Sequence, residues 1–265
     1  MAATIPIADI PTAYGTISIS RSPASGTLVY TVDGQRQGAV DKSGVTLAYY
    51  IHAFYGLLIQ AKSRNILMIG GACCTLGTML AKAGCQVTIV DINPASPAVA
   101  RQHFGLPDSV ICHTADGALF LRGDAGKYDA IVLDAFHGAH TPSHLLTPAF
   151  FALVREHLAP DGVVLVNILI KHRFDKGADR AARSMKRIWS DVRVLETVGP
   201  PDRNAIVMAG AVAQLQEPPL LVRPQTNPHV IAQELARMKF RPWKTSRWRF
   251  FQRTQDSYGI PRRNP

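Results

Sequence analysis

The chain has 265 residues, of which 47% are hydrophobic and 18% are charged, and its formal net charge is +10. This composition excludes wholesale disorder, a collagen-like fibre and a disulfide-based scaffold. The charge is uneven: residues 237–265 contain nine Lys or Arg and one acidic residue, whereas the remaining residues carry a net charge of +2. The excess therefore belongs to a C-terminal segment, and nucleic-acid binding by the body of the chain is not indicated.

The first residues lack the basic segment and the apolar segment of a signal peptide. The longest apolar run, 163–170, is interrupted by Asn167 and is too short to cross a membrane. The four cysteines, at 73, 74, 85 and 112, form no C-x-x-C pair, and no metal site is predicted. These features predict a cytoplasmic protein with free thiols and no transmembrane segment.

Residues 14–41 predict short β-strands, because apolar side chains alternate with polar ones and Asp33-Gly34 is a tight-turn signal. We predict a small N-terminal β unit over residues 1–45, followed by a helix near 46–60. The next apolar runs predict a regular alternation of strands and helices. Strands are expected at 65–69, 86–90, 110–113, 128–133, 163–168, 192–196 and 205–208, and helices at 75–83, 95–104, 117–122, 147–158 and 177–189.

Short connections between these elements predict a mostly parallel sheet with helices on both faces and an antiparallel edge. The α/β domain is expected over residues 46–215. Residues 216–265 are expected to form a Pro-rich connector, a short helix near 228–238 and a basic, aromatic tail.

Polar residues follow four of the predicted strands at the edge where open α/β sheets bind ligands. Gly70 and Gly71 allow a ligand to approach the backbone closely because they have no Cβ. Asp91 is placed to bind the two hydroxyls of a ribose, Asp116 to accept a hydrogen bond from an adenine amino group, and Asp134 to hold an ammonium group. One such carboxylate is more typical of a turn or a helix cap, but the three together favour a site for a nucleoside with a cationic chain.

Several segments resemble the spermidine synthase-like family of class I methyltransferase folds. They are Tyr128-Asp-Ala-Ile-Val-Leu-Asp134-Ala-Phe, Pro142-x-His144-Leu-Leu-Thr147-x-x-Phe150, Leu158-Ala-Pro-Asp-Gly-Val163, Phe104-Gly-Leu-Pro107 and Ala115-Asp116-Gly117. The stretch from Leu28 to Gln37 resembles the family's small β domain, and the whole resemblance covers roughly residues 14–210.

The resemblance implies a Rossmann-like α/β fold with a seven-stranded, mostly parallel sheet preceded by a small β unit. It also implies S-adenosylmethionine or its decarboxylated form as the cofactor, and a homodimer. By position, Gly70, Gly71 and Cys73 would line the cofactor, Asp91 would bind its ribose, Asp116 and Gly117 would lie at its adenine, and Gln37 would be a substrate-binding residue.

Two positions depart from the family pattern. Cys73 stands where the family has an acidic residue that would repel the carboxylate of intact S-adenosylmethionine. His137 stands where the family has a second aspartate that helps to deprotonate the attacking amine. A histidine is able to act as a base near pH 7, but it does not supply the negative charge that attracts a polyamine.

The first hypothesis is therefore methyl transfer from S-adenosylmethionine to an unidentified small molecule, with His137 as the base and Asp134 orienting the cofactor amine or the base. His140 and His144 share the loop, so His137 is not the sole candidate. The alternative is aminopropyl transfer from the decarboxylated cofactor. A third hypothesis, from a different class, is a non-catalytic module that binds a nucleotide or a partner.

Two features have both a functional and a structural interpretation. Cys73 and Cys74 are expected to pack as small apolar residues in the first turn of a helix rather than to react. The tail beginning at Met238 has the composition to bind single-stranded nucleic acid or an anionic surface. We expect instead that its aromatic side chains pack on their own domain and leave the charges in water.

Overall fold

The computed structural model describes residues 4–136, 138, 140–197, 199 and 202–243. Two predictions fall outside these residues: the role of His137 as a base, and the structure of the tail from residue 244 onward. Within the described part of the chain, no helix is both long enough and apolar enough to cross a membrane.

The N-terminal residues form a four-stranded antiparallel sheet, as predicted for the β unit. Its strands, in spatial order, are β1 (Ile5–Ile10), β2 (Ile17–Arg21), β3 (Leu28–Val32) and β4 (Gln35–Val40). The turn at Asp33-Gly34 has positive φ at both residues, which suits a two-residue hairpin. Strand β1 was not predicted, because its residues do not alternate cleanly and its pairing with β2 shifts register between Pro6 and Ala8.

The larger sheet has eight strands among the described residues, one more than the seven predicted. They are β5 (Asn65–Ile69), β6 (Gln86–Asp91), β7 (Ile111–Thr114), β8 (Tyr128–Leu133), β9 (Leu158–Ile170), β10 (Val192–Thr197), β11 (Arg203–Gly210) and β12 (Met238–Arg241). The order is β12-β10-β11-β9-β8-β5-β6-β7. The central pairs are parallel, and β11 and β12 run against their neighbours.

Strand β12 accounts for the difference in strand number. Its residues were assigned to the tail because the segment is short and basic, and such features are also common in edge strands. It pairs antiparallel with β10 through Met238 to Arg241. The sheet therefore continues beyond residue 215, where the predicted α/β domain ends; the domain boundaries themselves stay a prediction.

Helices cover both faces of the sheet. They are α1 (Tyr49–Gln60), α2 (Thr75–Lys82), α3 (Ala95–Phe104), α4 (Gly117–Gly123), α5 (Pro148–His157), α6 (Gly177–Lys186) and α7 (Pro228–Ala236). One buried core lies between the sheet and the group α1, α2, α3 and α7, and a second core lies between the sheet and α4, α5 and α6. Thr147 caps α5 by accepting a hydrogen bond from the Phe150 N–H, as its sequence predicts.

The N-terminal sheet packs against the sheet edge that carries the predicted site. Its buried face presents Ile17, Ile19 and Tyr30 to Cys73 and to residues of α3. Gly38 of β4 lies directly against the Cys73 sulfur, and a Cβ added at Gly38 would overlap it. This contact places β4, and with it Gln37, beside the loop that follows β5.

Candidate active site

The turn after β5 brings Gly70 close to Asp134, which follows β8. The Gly70 N–H donates to the Val90 carbonyl at 2.8 Å, and the Asp134 N–H donates to the Ile69 carbonyl at 2.9 Å. A Cβ at Gly70 would stand 2.5 Å from the Asp134 carbonyl oxygen, and φ at Gly70 is +84°. Only glycine is therefore compatible with this turn.

Asp91, at the end of β6, holds the same turn from the other side. One carboxylate oxygen accepts the Gly71 N–H at 2.9 Å, and the other accepts the Asn93 N–H at 2.8 Å. Burial raises the pKa of Asp91, although these hydrogen bonds oppose the effect. The Ala72 N–H also contributes a hydrogen bond, and since a carboxylate has about four acceptor positions, Asp91 keeps capacity for a further donor.

Asp116 is the N-cap of α4. One oxygen accepts the Ala118 and Leu119 N–H groups, and the other lies 2.8 Å from the Nε2 of His144. Partial burial raises the pKa of Asp116, but the hydrogen bonds from His144 and from the helix outweigh it and hold the pKa below its ordinary value. The contact between His144 and Asp116 therefore connects the loop after β8 to the start of α4.

Asp134 follows β8 and forms the centre of the site. Its Oδ1 accepts a hydrogen bond of 2.7 Å from the side-chain amide of Asn167 on β9. Burial raises the pKa of Asp134 to about 6, against the effect of this single hydrogen bond. Asp134 therefore changes its charge closer to neutral pH than an exposed aspartate does.

A cavity of about 450 Å³ is lined in part by Asn167, the hydrogen-bond partner of Asp134. It is bounded by β4, the start of α1, the loop after β8 and the ends of β9 and β11. Its wall includes Gln37, which the sequence predicted to face the active site, together with Tyr49, Tyr50 and Asn204. Burial, followed by the charge of Asp134, raises the pKa of Tyr50 well above its usual value, so this phenol stays protonated.

The loop histidines have separate surroundings. His144 contacts Asp116, whereas His140 Nε2 accepts a hydrogen bond of 2.7 Å from the Lys171 ammonium just beyond β9. His137 lies outside the described residues, so its role as a base stays a prediction. No three His, Cys, Asp or Glu side chains in the part of the chain that the structure describes are grouped to hold a metal ion.

Cys73 is 3% exposed and packs towards the N-terminal sheet. Burial raises its pKa to about 12, so it does not act as a thiolate near neutral pH. This environment favours the packing interpretation of Cys73. Contact with the cofactor, which the resemblance implies for this position, stays a prediction.

The first residues of the predicted tail pack on their own domain. Trp243 contacts the core beneath α6 and donates its indole N–H to the Val192 carbonyl at 3.1 Å. This agrees with the expectation that the aromatic residues pack, as far as the described residues go.

Three polar residues of the site were not predicted. Asn167 is 1% exposed, and its one signal in the sequence is that it interrupts an apolar run. Asn204 and Tyr49 lie at the start of β11 and of α1, where nothing in the sequence separates them from ordinary surface residues. They are brought together by the tertiary structure: the Asn204 side chain donates to Asn167 at 2.9 Å, and its backbone N–H donates to the Tyr49 hydroxyl at 3.2 Å.

Comparison with known proteins gives relatives of two kinds. The chain is 34% identical over 119 residues to the polyamine aminopropyltransferase of Vibrio vulnificus strain CMCP6, a match that covers 42% of this chain and 40% of the relative. It is 32% identical over 122 residues to the N-terminal histidine N-methyltransferase of Emericella nidulans, covering 44% of this chain and 22% of that protein. The matches span less than half the length of these curated relatives. No protein-family model matches the chain.

Among solved structures, a probable spermidine synthase from Corynebacterium glutamicum ATCC 13032 superposes with a TM-score of 0.71 at 19% identity, covering 91% of this chain and 90% of the other. The spermidine synthase from Thermotoga maritima superposes with a TM-score of 0.60 at 18% identity, covering 88% of each chain. Both likenesses extend over the N-terminal sheet and the larger sheet together. The chain therefore has the spermidine synthase-like class I methyltransferase fold, in which a small antiparallel sheet precedes the α/β sheet.

Proposed function

We propose that this protein transfers an aminopropyl group from decarboxylated S-adenosylmethionine to an amine. The observation that carries the proposal is the position of Asp134. It adjoins the glycine turn on one side, and on the other it is hydrogen-bonded to Asn167, which lines the cavity. One carboxylate is thus shared between a cofactor edge and a space for an acceptor.

The residues at the cofactor edge suit a nucleoside. Asp91 keeps acceptor capacity for a ribose hydroxyl, and the glycine turn gives close access to the backbone. Ile92, which follows Asp91, and Leu119 in the first turn of α4 are 47% and 63% exposed, and they offer apolar surface to an adenine ring. When bound, the sulfonium nucleoside supplies an electrophilic carbon, and the protein's task is to align the acceptor with it.

Among the residues that the structure describes, Asp134 is best placed to take the acceptor's proton. An amine attacks carbon only through a free lone pair, so an ammonium acceptor must first lose a proton. With a pKa of about 6, the Asp134 carboxylate is ionised near neutral pH and is a stronger base than an exposed aspartate. The Asp134 carboxylate would take this proton first, which leaves the nitrogen lone pair free to attack the electrophilic carbon that the bound cofactor would supply.

The comparisons favour aminopropyl transfer over methyl transfer, the hypothesis that the sequence placed first, since the polyamine aminopropyltransferases and spermidine synthases predominate among the relatives. Methyl transfer remains the second candidate for two reasons. Cys73 stands in place of the acidic residue that would exclude the carboxylate of intact S-adenosylmethionine, and one relative is an N-methyltransferase. The assignment to a homodimer also stays a prediction.

The test is titration calorimetry with each nucleoside, followed by mass spectrometry of reactions with putrescine and other amines. Aminopropyl transfer predicts 5′-methylthioadenosine as the product, and methyl transfer predicts S-adenosylhomocysteine. Asp134→Asn should lower turnover by about 100-fold or more. Asp161→Asn, an exposed aspartate of β9 remote from the site, is the matched control. If neither nucleoside binds, the proposal is wrong and the non-catalytic alternative gains support.

The pH dependence provides a second check. Because burial raises the pKa of Asp134 to about 6, the base is protonated below that pH and the transfer rate should fall tenfold for each further unit. An acid limb with a midpoint near 4 would show that an ordinary exposed carboxylate acts instead.

A further inference from the structure

The polar side chains between Asp134 and the cavity form a directed chain of hydrogen bonds. The Asn204 side-chain NH₂ donates to Asn167 Oδ1 at 2.9 Å, and the Asn167 NH₂ donates to Asp134 Oδ1 at 2.7 Å. The Asn204 backbone N–H in turn donates to the Tyr49 hydroxyl oxygen at 3.2 Å. Both side-chain amide donors in this chain point towards the carboxylate.

We propose that the amide pair Asn167–Asn204 is the positioning device of the transfer reaction: it holds one oxygen of Asp134 and leaves only the other, Oδ2, to take the proton of the acceptor amine. This inference rests on the proposed function for its chemistry, but the arrangement of the three side chains stands on the geometry alone.

The orientation of Asn167 is fixed from both sides. If its amide were reversed, its carbonyl oxygen would face a carboxylate oxygen of Asp134, and its NH₂ would face the NH₂ of Asn204. Both contacts would be repulsive, and at a side chain that is 1% exposed no water is at hand to compensate for them. Asp134 and Asn204 together therefore favour the orientation in which Asn167 presents a donor to Asp134.

The same arrangement differentiates the two oxygens of Asp134. Oδ1 accepts a hydrogen bond from an N–H group that cannot give up its proton, so this oxygen is held in its unprotonated form. Oδ2 accepts no hydrogen bond from the described residues and is the oxygen left for the proton. A carboxylate that receives its proton at one defined oxygen has a defined direction of approach for the amine.

The pair also places unused groups at the cavity wall. Within the described residues, the Asn204 side-chain oxygen accepts no hydrogen bond, and the Tyr49 hydroxyl accepts one but donates none. Both residues line the cavity. The Asn204 side-chain oxygen and the Tyr49 hydroxyl are therefore available to an acceptor bound in the cavity.

The experiment measures the Asp134 carboxyl directly, by ¹³C NMR titration of the full chain, with its signal assigned by its loss in Asp134→Asn. Asn167→Leu keeps the approximate size of the side chain and removes the donor. The midpoint of the Asp134 titration should rise by about one pH unit, because a hydrogen bond to the charged form is lost. The acid limb of transfer should move by the same amount.

Asn204→Leu tests the pair rather than the single bond. It leaves Asn167 in place but frees its amide to reverse, and we expect a smaller rise of the Asp134 midpoint. It also offers a measurement if Asn167→Leu does not fold. Asn65→Leu is the matched control, since the Asn65 amide donates to the Lys127 carbonyl at the opposite end of the same sheet. That variant should leave the midpoint unchanged.

An unchanged midpoint in Asn167→Leu, or in Asn204→Leu, would overturn the proposal. A shift in both variants supports it, whether or not transfer is seen. If the midpoints shift as expected but no amine is modified by the wild-type chain, the positioning of Asp134 stands and the proposed function fails.

Discussion

Asp41 and Asp134 are two enclosed carboxylates whose surroundings move their pKa values in opposite directions. Burial tends to raise the pKa of both. At Asp41 the hydrogen bonds from Ser43, Val45 and Gln225 outweigh burial, and the pKa lies below its ordinary value of 3.8. At Asp134 the single hydrogen bond from the Asn167 amide does not outweigh burial, and the pKa is raised. The number of donors thus separates a structural carboxylate from one that titrates in the working range of pH.

Asp41 gives the first prediction, on stability against pH. Its folded pKa is lower than its unfolded pKa, so its stabilising effect is fully present above the unfolded value and is lost as the pH falls through the folded value. We expect Asp41→Asn to lower the free energy of unfolding by about 1–3 kcal/mol at pH 7. This difference from the unaltered chain should narrow below pH 4. Urea unfolding at several pH values measures this.

The control is Asp108→Asn, because Asp108 is fully exposed and pairs with Arg101 only at 3.5 Å. It should change stability little at any pH. If Asp41→Asn lowers the free energy of unfolding by the same amount from pH 7 to pH 3, the stabilising role of the Asp41 charge is contradicted.

Gly117 gives the second prediction. A Cβ at this position would overlap the Ile69 side chain of β5, so Gly117→Ala should destabilise the fold by about 1–3 kcal/mol. Gly123 closes the same helix, and a Cβ there meets nothing within 4 Å. Gly123→Ala should therefore be neutral or slightly stabilising. Equal effects of the two substitutions in chemical unfolding would contradict the packing argument.

The sequence predicted the site residues that follow strands but not those that reach the site from the side. Gly70, Asp91 and Asp134 occupy strand ends, and the ends of parallel strands meet at one edge. Asn204 lies on an antiparallel strand and enters the site only because β11 is placed beside β9. Its contribution depends on sheet order, which local patterns do not encode.

Among the secondary-structure elements, β9 and β12 depart most from their predicted forms. The turn signal Pro160-Asp161-Gly162 lies inside β9, where the register with β8 shifts between Tyr128 and Ala130. The residues therefore bulge out of a continuous strand instead of ending it. In β12, Phe240 lies under the guanidinium of Arg193 at 3.5 Å, a contact that favours a strand where charge alone suggests a tail.

The third prediction concerns the ion pairs of β12. Arg241 bonds to Glu196, which is 7% exposed, and to Asp179 of α6 at 2.8 Å. Arg241→Gln leaves two partly buried carboxylates with fewer donors and should cost about 2 kcal/mol. Lys239 on the same strand pairs with Glu217 in the open, and Lys239→Gln should cost less than about 1 kcal/mol.

Thermal unfolding of the two variants measures this difference. If Lys239→Gln lowers the unfolding temperature as much as Arg241→Gln does, the stability of β12 does not come from the buried ion pairs. The described part of the predicted tail would then owe its place in the sheet to backbone pairing alone.

At the scale of the whole molecule, the N-terminal sheet and the larger sheet share the contact around Cys73. The sequence predicted both sheets, because alternation of apolar residues and short connections identify them separately. The way they meet depends on the fit of Gly38 to the Cys73 sulfur, and no periodicity reports such a fit. The cavity is lined by residues of both sheets, among them Gln37 and Asn167, so its shape depends on how the sheets meet.

The fourth prediction uses cysteine labelling to test the contact between the two sheets. Cys112 is half-buried, whereas Cys73 and Cys74 are buried. Under native conditions a thiol reagent should modify Cys112 first, and Cys73 only when the N-terminal sheet opens. Gly38→Ala should speed the labelling of Cys73 by about tenfold for each 1.4 kcal/mol of strain.

Lys42→Ala, an exposed position just beyond β4, is the control and should leave the rate unchanged. Mass spectrometry of the labelled peptides identifies the site. Rapid labelling of Cys73 in the unaltered chain would show that the two sheets do not stay together.

The hydrogen bond from the Gln225 N–H to Asp41 joins positions 184 residues apart. Closing so long a loop costs chain entropy until the intervening chain has become compact, so we expect this hydrogen bond to form late in folding. An interaction absent from the transition state governs how long the native molecule survives rather than how fast it is reached. Breaking this hydrogen bond should therefore increase the unfolding rate, which shortens the lifetime of the folded protein. The refolding rate should stay almost unchanged.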